Sequence, residues 1–132
     1  MLTNWHKAAC ISNSVAKLMF LILTLILLSA QSPDLAYIIE GEASTCQIDG
    51  KVAVAWVYSR NSTFYGWADP SDDSIMVSNN WFQYPDPTFG ANHLFSAEDI
   101  KTDRVKAIIG DQSPLSRFPC GALTLLAYRI DP

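Results

Sequence analysis

Apolar positions after residue 34 first recur at the spacing of a helix. Leu35, Ile38 and Ile39 lie on one helical face, and Glu42 follows one turn later on the same face. The preceding Ser-Pro-Asp at residues 32–34 is typical of a helix start, because Ser caps an N-terminus and Pro fits the first turn. The pattern therefore predicts a helix that begins near residue 32 and includes Glu42.

The rest of the body alternates between polar stretches and short apolar runs. Residues 43–50 (ASTCQIDG) indicate a loop, whereas residues 51–60 (KVAVAWVYSR) fit a helix and a strand equally well. Residues 61–87 are rich in Asn, Ser, Asp, Pro and aromatic residues, which favours a mostly irregular segment. Helical spacing returns over residues 103–110, with a glycine as a stop, and residues 121–130 (GALTLLAYRI) predict a buried strand. Together these elements indicate a mixed α+β domain.

The first thirty residues have the order of an export signal. Two lysines are the only charged residues before an apolar run at residues 18–28 (LMFLILTLILL), and a Ser-Ala pair follows it. The run is shorter than the roughly 20 residues that span a bilayer comfortably. We therefore expect residues 1–30 to be a signal peptide, with an uncleaved signal anchor as the alternative. Residues 31–132 should then form one domain outside the cytoplasm.

Net charge narrows the classes of function. The 132-residue chain carries nine Lys and Arg against 13 Asp and Glu, a formal charge of −4. Both lysines of the N-terminal segment precede the apolar run, so the body keeps seven cations against 13 acids, a net −6. A body of this charge lacks the basic surface that neutralises phosphates, which argues against nucleic acid as a partner.

Cysteine usage agrees with export. If the signal is cleaved, Cys46 and Cys120 are the two cysteines that remain. One disulfide between them would close a loop of about 75 residues and stabilise the fold by about 3–4 kcal/mol. Two separate buried thiols are the alternative. His93 is the only histidine of the body and no metal-ligand spacing is present, so we expect neither a metal nor a cofactor.

Glu42 is the first candidate for chemistry. Its position on an apolar helix face favours the protonated carboxyl group, because desolvation disfavours the carboxylate. A carboxyl proton is what cleavage of a glycosidic bond needs, since the leaving oxygen is protonated as the bond breaks. The alternative is a Glu that ends a short helix and turns to water.

Two sequence blocks in the same order carry a family resemblance. Residues 35–60 contain an apolar helix that ends in Glu42-Ala43 and continue to Gly-Lys-Val-Ala-Val at residues 50–54. Residues 86–93 (DPTFGANH) form the second block. Both blocks resemble the SleB family of cell wall hydrolases, which includes the spore-cortex lytic enzymes and carries Glu-Ala, Gly-x-Val-Ala-Val and Asp-Pro-Thr-x-Gly-Ala-x-His elements.

The resemblance implies a fold similar to lysozyme-like lytic transglycosylases, with helices around a cleft and a small β element. It also implies one catalytic carboxyl group, that of Glu42, acting on peptidoglycan glycan strands. Glu42 would protonate the glycosidic oxygen between N-acetylmuramic acid and N-acetylglucosamine. As a carboxylate it would then take the proton of the muramic 6-hydroxyl, which closes a 1,6-anhydro ring. Membrane contact is expected only through an uncleaved N-terminal segment.

Seven further residues are candidates for substrate binding. Asp86, Thr88 and His93 are expected to hydrogen-bond sugar substituents or shape the cleft. The aromatic residues expected to stack on sugar faces are Trp67, Trp81, Phe82 and Tyr84. Each also has a structural interpretation, because Asp-Pro-Thr forms a good turn and aromatic residues often form local core. Asp86 acting as a base for water would give hydrolysis instead of transglycosylation.

Functions from other classes also fit parts of the sequence. A non-catalytic exported cell-wall-binding module would keep the aromatic residues without depending on Glu42. Ser59 in place of the family's usual Asn, and Cys46 where a second Glu is common, favour that alternative. A membrane-anchored structural protein would keep residues 18–28 as a permanent anchor. A Ser or Cys hydrolase has little support, because no nucleophile elbow is present.

Overall fold

The computed structural model describes residues 13–24 and 34–132. Two compact units, Met1–Ser32 and Pro33–Pro132, make up the chain. Helix α1 of the first unit covers residues 13–24 in its described part. No helix in the described ranges is both long enough and apolar enough to cross a membrane. The predicted end of the export signal and the predicted cap at Ser32 lie outside the described residues.

The second unit is a mixed α+β domain, as the sequence predicts. Three helices come first, and a small sheet follows with a fourth helix between its first two strands. In chain order the elements are α2 (Leu35–Ala43), α3 (Ile48–Arg60), α4 (Asp72–Asn80), the 3-10 turn η1 (Trp81–Gln83), β1 (His93–Ser96), the 3-10 turn η2 (Asp99–Lys101), α5 (Asp103–Ile109), β2 (Ser116–Cys120) and β3 (Leu123–Tyr128). The three strands are antiparallel in the order β1-β3-β2. His93 is paired with Tyr128, and Cys120 with Leu123.

Helix α2 has the apolar face that its spacing predicts. Leu35, Ile38 and Ile39 are buried, and Glu42 is half-buried at the end of the same face. Asp34 is the N-cap residue in the structure, and its side chain makes no capping hydrogen bond. The loop predicted after this helix is shorter than expected, because α3 already begins at Ile48.

Helix α3 resolves the ambiguous apolar stretch in favour of a helix. It contacts α2, α4, η1 and strands β1 and β2, so more than one of its faces is covered. A helix buried all round needs apolar residues at nearly every position, which removes the 3.6-residue period from the sequence. Its buried residues are Gly50, Lys51, Val52, Ala53, Val54, Ala55 and Val57.

The expectation of a mostly irregular segment over residues 61–87 is confirmed for residues 61–71 and 84–87. Between them the sequence missed α4 and η1, which occupy residues 72–83. Ser71 caps α4 by accepting a hydrogen bond from Ser74 N, and two aspartates occupy the first turn, where the helix dipole favours negative charge. The buried face of α4 includes Ser74, Val77 and Ser78, and its hydroxyl groups hide the helical period in a hydropathy pattern.

The predicted C-terminal elements are confirmed. Helix α5 ends at Gly110, whose φ of +56° is a conformation that glycine adopts readily. Strand β3 is the central strand, and Leu125 and Ala127 belong to the core beneath the helices. Leu126 and Tyr128 belong instead to a second cluster with residues of α5. Burial on both faces explains why residues 125–128 of β3 (LLAY) are apolar in succession.

Cys46 and Cys120 form a disulfide, the first of the two alternatives that the sequence left open. The bond joins the loop between α2 and α3 to the end of β2. Thr45 reinforces this link, because its hydroxyl group donates to the carbonyl oxygen of Cys120 at 2.9 Å. A Cβ atom at Gly50 would lie 2.7 Å from the Cβ atom of Cys46, so only glycine fits beside the disulfide.

A buried ion pair joins helices α2, α3 and α4. Lys51, with 3% of its side chain exposed, lies 3.4 Å from Glu40 and donates to Ser74 Oγ and the Ala43 carbonyl oxygen at 2.9 and 3.0 Å. Glu40 Oε2 also accepts from the hydroxyl groups of Ser74 and Ser71 at 2.5 and 2.7 Å. The hydrogen bond from Ser74 contributes most to lowering the pKa of Glu40. Desolvation raises this pKa, but the hydrogen bonds from the two serines and the charge of Lys51 outweigh it and bring the pKa to about 2.

This pKa predicts a loss of stability in acid. Because the folded-state pKa of Glu40 is about 2 and its ordinary value is 4.5, its contribution is complete above pH 4.5 and is lost as the pH falls towards 2. Urea unfolding between pH 7 and pH 2 measures the effect. Glu40→Gln should lower the free energy of unfolding at pH 7 and flatten its decline below pH 5. Glu98→Gln is the matched control, since Glu98 forms only an exposed pair with Lys101. An equally steep decline in Glu40→Gln would contradict the assignment.

Candidate functional site

Helix α2 places Glu42 beside a segment of the irregular chain that we call the strap, residues 64–68. The backbone N–H of Gly66 donates to Glu42 Oε1 at 2.6 Å. Tyr37 and Trp67 stack with ring centroids 4.7 Å apart, and Ala68 N donates to the Tyr37 carbonyl oxygen at 3.2 Å. The strap therefore contacts α2 over two turns and fixes one oxygen of the Glu42 carboxyl group.

Two glycines allow this close approach. A Cβ atom at Gly41 would lie 2.2 Å from Trp67 N, and one at Gly66 would lie 2.7 Å from Glu42 Oε1. Distances below 3.0 Å do not occur for real Cβ atoms, so both positions require glycine while the backbones stay in place. The hydrogen bond between Gly66 and Glu42 thus depends on the absence of two side chains.

Glu42 lies where two cavities adjoin. The first, the His93 cavity, has a volume of about 270 Å³ and is bordered by α3, the strap, β1 and α5. The second, the sheet cavity, has a volume of about 280 Å³ and lies against α2, β1 and β3. Four residues line both cavities: Glu42, Phe64, Leu94 and Asp99. Glu42 therefore lines both cavities, which we refer to together as the depression.

His93 is the one predicted binding residue that shares a cavity with Glu42. Its tautomer follows from Asn92, whose amide is oriented by Ile130. Asn92 Oδ1 accepts from Ile130 N and Asn92 Nδ2 donates to the Ile130 carbonyl oxygen, both at 2.8 Å. Because Asn92 Oδ1 is thus an acceptor, the proton on His93 lies on Nδ1, 2.9 Å away. His93 Nε2 is then free to accept from Asn61 Nδ2 at 3.3 Å.

Two charged residues of the depression were not identified from the sequence. Asp99 lies in η2 and lines both cavities, with Oδ2 accepting from Ser96 N at 3.0 Å. Arg104 lies in the first turn of α5 and lines the His93 cavity. Neither residue belongs to a motif, and only the pairing of β1 with β3 brings this part of the chain to Glu42. Among the described residues no group of three or more His, Cys, Asp or Glu side chains is placed to hold a metal ion.

Asp86 and Thr88 lie instead in the turn that precedes β1. Asp86 accepts from Thr88 N and Oγ1 at 2.8 and 2.6 Å and pairs with the Arg60 guanidinium group. Arg60 also donates to Thr88 Oγ1 and to the carbonyl oxygen of Ala91. Burial raises the pKa of Asp86, but the hydrogen bonds from Thr88, Arg60 and Gly90 outweigh it and hold the pKa below its usual value. Neither residue lines either cavity, and their contacts are those of a turn.

Trp81 and Tyr84 also lie away from both cavities. Trp81 packs edge-on against Trp56 with ring centroids 4.9 Å apart, and Tyr84 donates through its hydroxyl group to Met76 Sδ at 3.6 Å. Both pack against the main core. The strap presents Tyr65, which is 93% exposed and borders the His93 cavity, and Trp67, which is 60% exposed but stacks on Tyr37 and lines neither cavity. Tyr65 is therefore the better placed of the two for stacking on a ligand in the His93 cavity.

A scan against protein-family models and searches of curated proteins and solved structures returned no match to this chain. The family resemblance therefore remains a prediction carried by the two sequence blocks. What the structure contributes is the geometry around Glu42.

Gly66→Ala should separate the strap from α2. The new Cβ atom has no room between Glu42 Oε1 and the carbonyl carbon of Gly41, 2.8 Å away, and overpacking of this kind costs about 1–3 kcal/mol. Thermal unfolding of the purified chain measures the loss. Gly110→Ala is the control, because a Cβ atom there meets nothing within 4 Å and adds only backbone strain. A Gly66→Ala protein as stable as the wild type would show that the close approach is unimportant.

The hydrogen bonds of His93 predict its protonation. Desolvation lowers the pKa of His93 below its ordinary 6.5, so the ring should be neutral at pH 7 with its proton on Nδ1. Nitrogen-15 NMR of the ring measures both properties. A titration midpoint above 6.5, or a proton on Nε2, would contradict the network drawn through Asn92.

Proposed function

We propose that this protein cleaves the glycan strands of peptidoglycan, with Glu42 as the catalytic acid. The observation that carries the proposal is the position of Glu42. Glu42 lines two adjoining cavities, and one of its carboxyl oxygens accepts a hydrogen bond from the Gly66 N–H at 2.6 Å. A glycosidic bond has a sugar on each side, so a proton donor between two sugar-binding depressions meets the geometric requirement of the reaction.

The proposed reaction is that of a lytic transglycosylase. Glu42 protonates the oxygen between N-acetylmuramic acid and N-acetylglucosamine, and the bond to the muramic anomeric carbon breaks. The resulting carboxylate takes the proton of the muramic 6-hydroxyl, whose oxygen closes the 1,6-anhydro ring. The Gly66 N–H keeps the carboxyl group in one orientation through both proton transfers. The lysozyme-like arrangement implied by the family resemblance belongs to the same proposal.

The walls of the depression suit a glycan. Asn61, Thr63 and Asn92 supply hydrogen-bonding groups, and Phe64 and Tyr65 supply aromatic surface in the His93 cavity. Sugars present hydroxyl groups at their edges and C–H groups at their faces, so such mixed walls match them. Neutral His93 adds no charge to these walls, and its two ring nitrogens are hydrogen-bonded to Asn61 and Asn92.

Asp86 and Thr88 have a supporting role in this proposal. Arg60 forms an ion pair with Asp86 and a hydrogen bond with Thr88, and these contacts stabilise the turn that leads into β1. This turn positions His93, the first residue of β1. Asp99 replaces Asp86 as the carboxylate for a hydrolytic route, because Asp99 borders the same cavities as Glu42. Trp81 and Tyr84 are assigned to the core and the strap aromatics to the glycan.

Export is proposed on two grounds. The N-terminal segment has the order of a signal sequence, and the Cys46–Cys120 disulfide suits an oxidising compartment outside the cytoplasm. Peptidoglycan lies in that compartment.

A non-catalytic wall-binding module is the second candidate. The observation that favours it is the exposure of Tyr65 and Trp67 on the strap, which would serve binding without any chemistry at Glu42.

Digestion of purified peptidoglycan with the wild type and Glu42→Gln, followed by mass spectrometry, separates the candidates. We expect anhydro-muropeptides from the wild type and a rate about 10²–10⁴-fold lower for Glu42→Gln, because its side-chain amide cannot donate an acidic proton. Glu98→Gln, which neutralises an exposed acid elsewhere, should act like the wild type. Products with reducing ends would keep the enzyme and assign the base to Asp99. Folded proteins that bind the wall equally and release nothing would establish the binding module.

A further inference from the structure

We infer that Arg104 binds a carboxylate carried by the O3 substituent of muramic acid, and so distinguishes peptidoglycan from neutral glycans. The inference rests on the proposed function and adds a specificity determinant to it. The relevant observations are the charges of the residues that surround the Glu42 depression.

Most cations of residues 34–132 are already paired. Four of the seven form salt bridges, which are Lys51–Glu40, Arg60–Asp86, Lys101–Glu98 and Arg129–Asp131. In this part of the chain Arg104, Lys106 and Arg117 form no salt bridge, and of these three only Arg104 lines a cavity beside Glu42. A cation without an internal partner in a candidate binding site is available to a ligand.

Helix α5 fixes the direction of Arg104. Arg104 and Ile108 are four residues apart and both line the His93 cavity, so this face of α5 forms one of its walls. Lys106, two residues from Arg104, does not line the cavity, although both residues are exposed. The helix thus carries one cation on the cavity wall and an otherwise similar cation away from it.

The other titratable groups of the depression would oppose an anionic ligand. Glu42 and Asp99 are acidic, His93 is neutral above its lowered pKa, and the body as a whole carries a net negative charge. A neutral glycan would need no cation here. An anionic one needs a local positive charge, and Arg104 is the described residue that supplies it.

Muramic acid differs from N-acetylglucosamine by a lactyl ether on O3 that ends in a carboxyl group. In stripped strands this carboxylate is free, whereas in intact peptidoglycan it is amidated by a stem peptide that carries carboxylates of its own. Both sources offer the planar anion that a guanidinium group binds with two parallel hydrogen bonds. The shared chemistry is therefore a carboxylate beside the muramic ring.

Calorimetric titration of the full chain with glycan ligands tests the role of Arg104. Every protein in the comparison also carries Glu42→Gln, so that the ligands are bound but not cleaved. Arg104→Glu is compared with Lys106→Glu, which changes the net charge equally on the same helix. The three ligands are a GlcNAc-MurNAc tetrasaccharide with free lactyl groups, the same tetrasaccharide with stem peptides, and chitotetraose. Arg104→Glu should weaken binding of at least one muramyl ligand about tenfold or more and leave chitotetraose unchanged. Lys106→Glu should leave all three unchanged.

The ligand that responds identifies the source of the carboxylate. If Arg104→Glu binds the stripped tetrasaccharide more weakly, the carboxylate is that of the lactyl group. If it binds only the peptide-bearing tetrasaccharide more weakly, the carboxylate belongs to the stem peptide. Equal losses in Arg104→Glu and Lys106→Glu, or a loss of chitotetraose binding equal to that of the muramyl ligands, would overturn the role of Arg104 alone. A wild type that neither cleaves peptidoglycan nor binds these glycans would overturn the proposed function itself.

Discussion

The buried ion pair between Glu40 and Lys51 is the interaction on which the helical half of the domain depends. It joins α2, α3 and α4 in a place where two charges would be costly to bury without partners, and hydroxyl groups and a carbonyl oxygen satisfy them. Removing either charge leaves the other buried and alone. Residues two positions apart diverge on a helix, so anchoring Glu40 inward directs Glu42 elsewhere. One helix thus holds two carboxyl groups in different environments, one locked in an ion pair and one beside open cavities.

The candidate site depends on backbone contacts as much as on side chains. Gly41 and Gly66 let the strap approach α2 closely enough for an N–H group to reach Glu42. At the other wall, Ile130 orients Asn92, and Asn92 in turn sets the tautomer of His93. Glu42 and His93 are therefore held in place by hydrogen bonds to their neighbours, which is the arrangement that positions groups for catalysis.

Sequence periodicity predicted the helices with a single apolar buried face and failed for the helices whose burial was different. The face of α2 and the helix ending at Gly110 follow directly from the apolar spacing. Helix α3 stayed ambiguous because several of its faces are covered, and α4 was missed because part of its buried face is serine. For the candidate site, too, the sequence predicted only some of the residues. Glu42 and His93 border one cavity, whereas Asp99 and Arg104 carry no local signal and are brought there by tertiary pairing.

The proposed function requires a glycosidic oxygen to bind beside the carboxyl group of Glu42, with sugar rings in the two cavities. A crystal structure of Glu42→Gln with a bound muramyl tetrasaccharide tests this requirement. We expect sugar rings in both cavities and a glycosidic oxygen about 3 Å from the side chain at position 42, within hydrogen-bonding distance. A glycan bound along Tyr65 and Trp67 with every glycosidic oxygen out of reach of position 42 would contradict it.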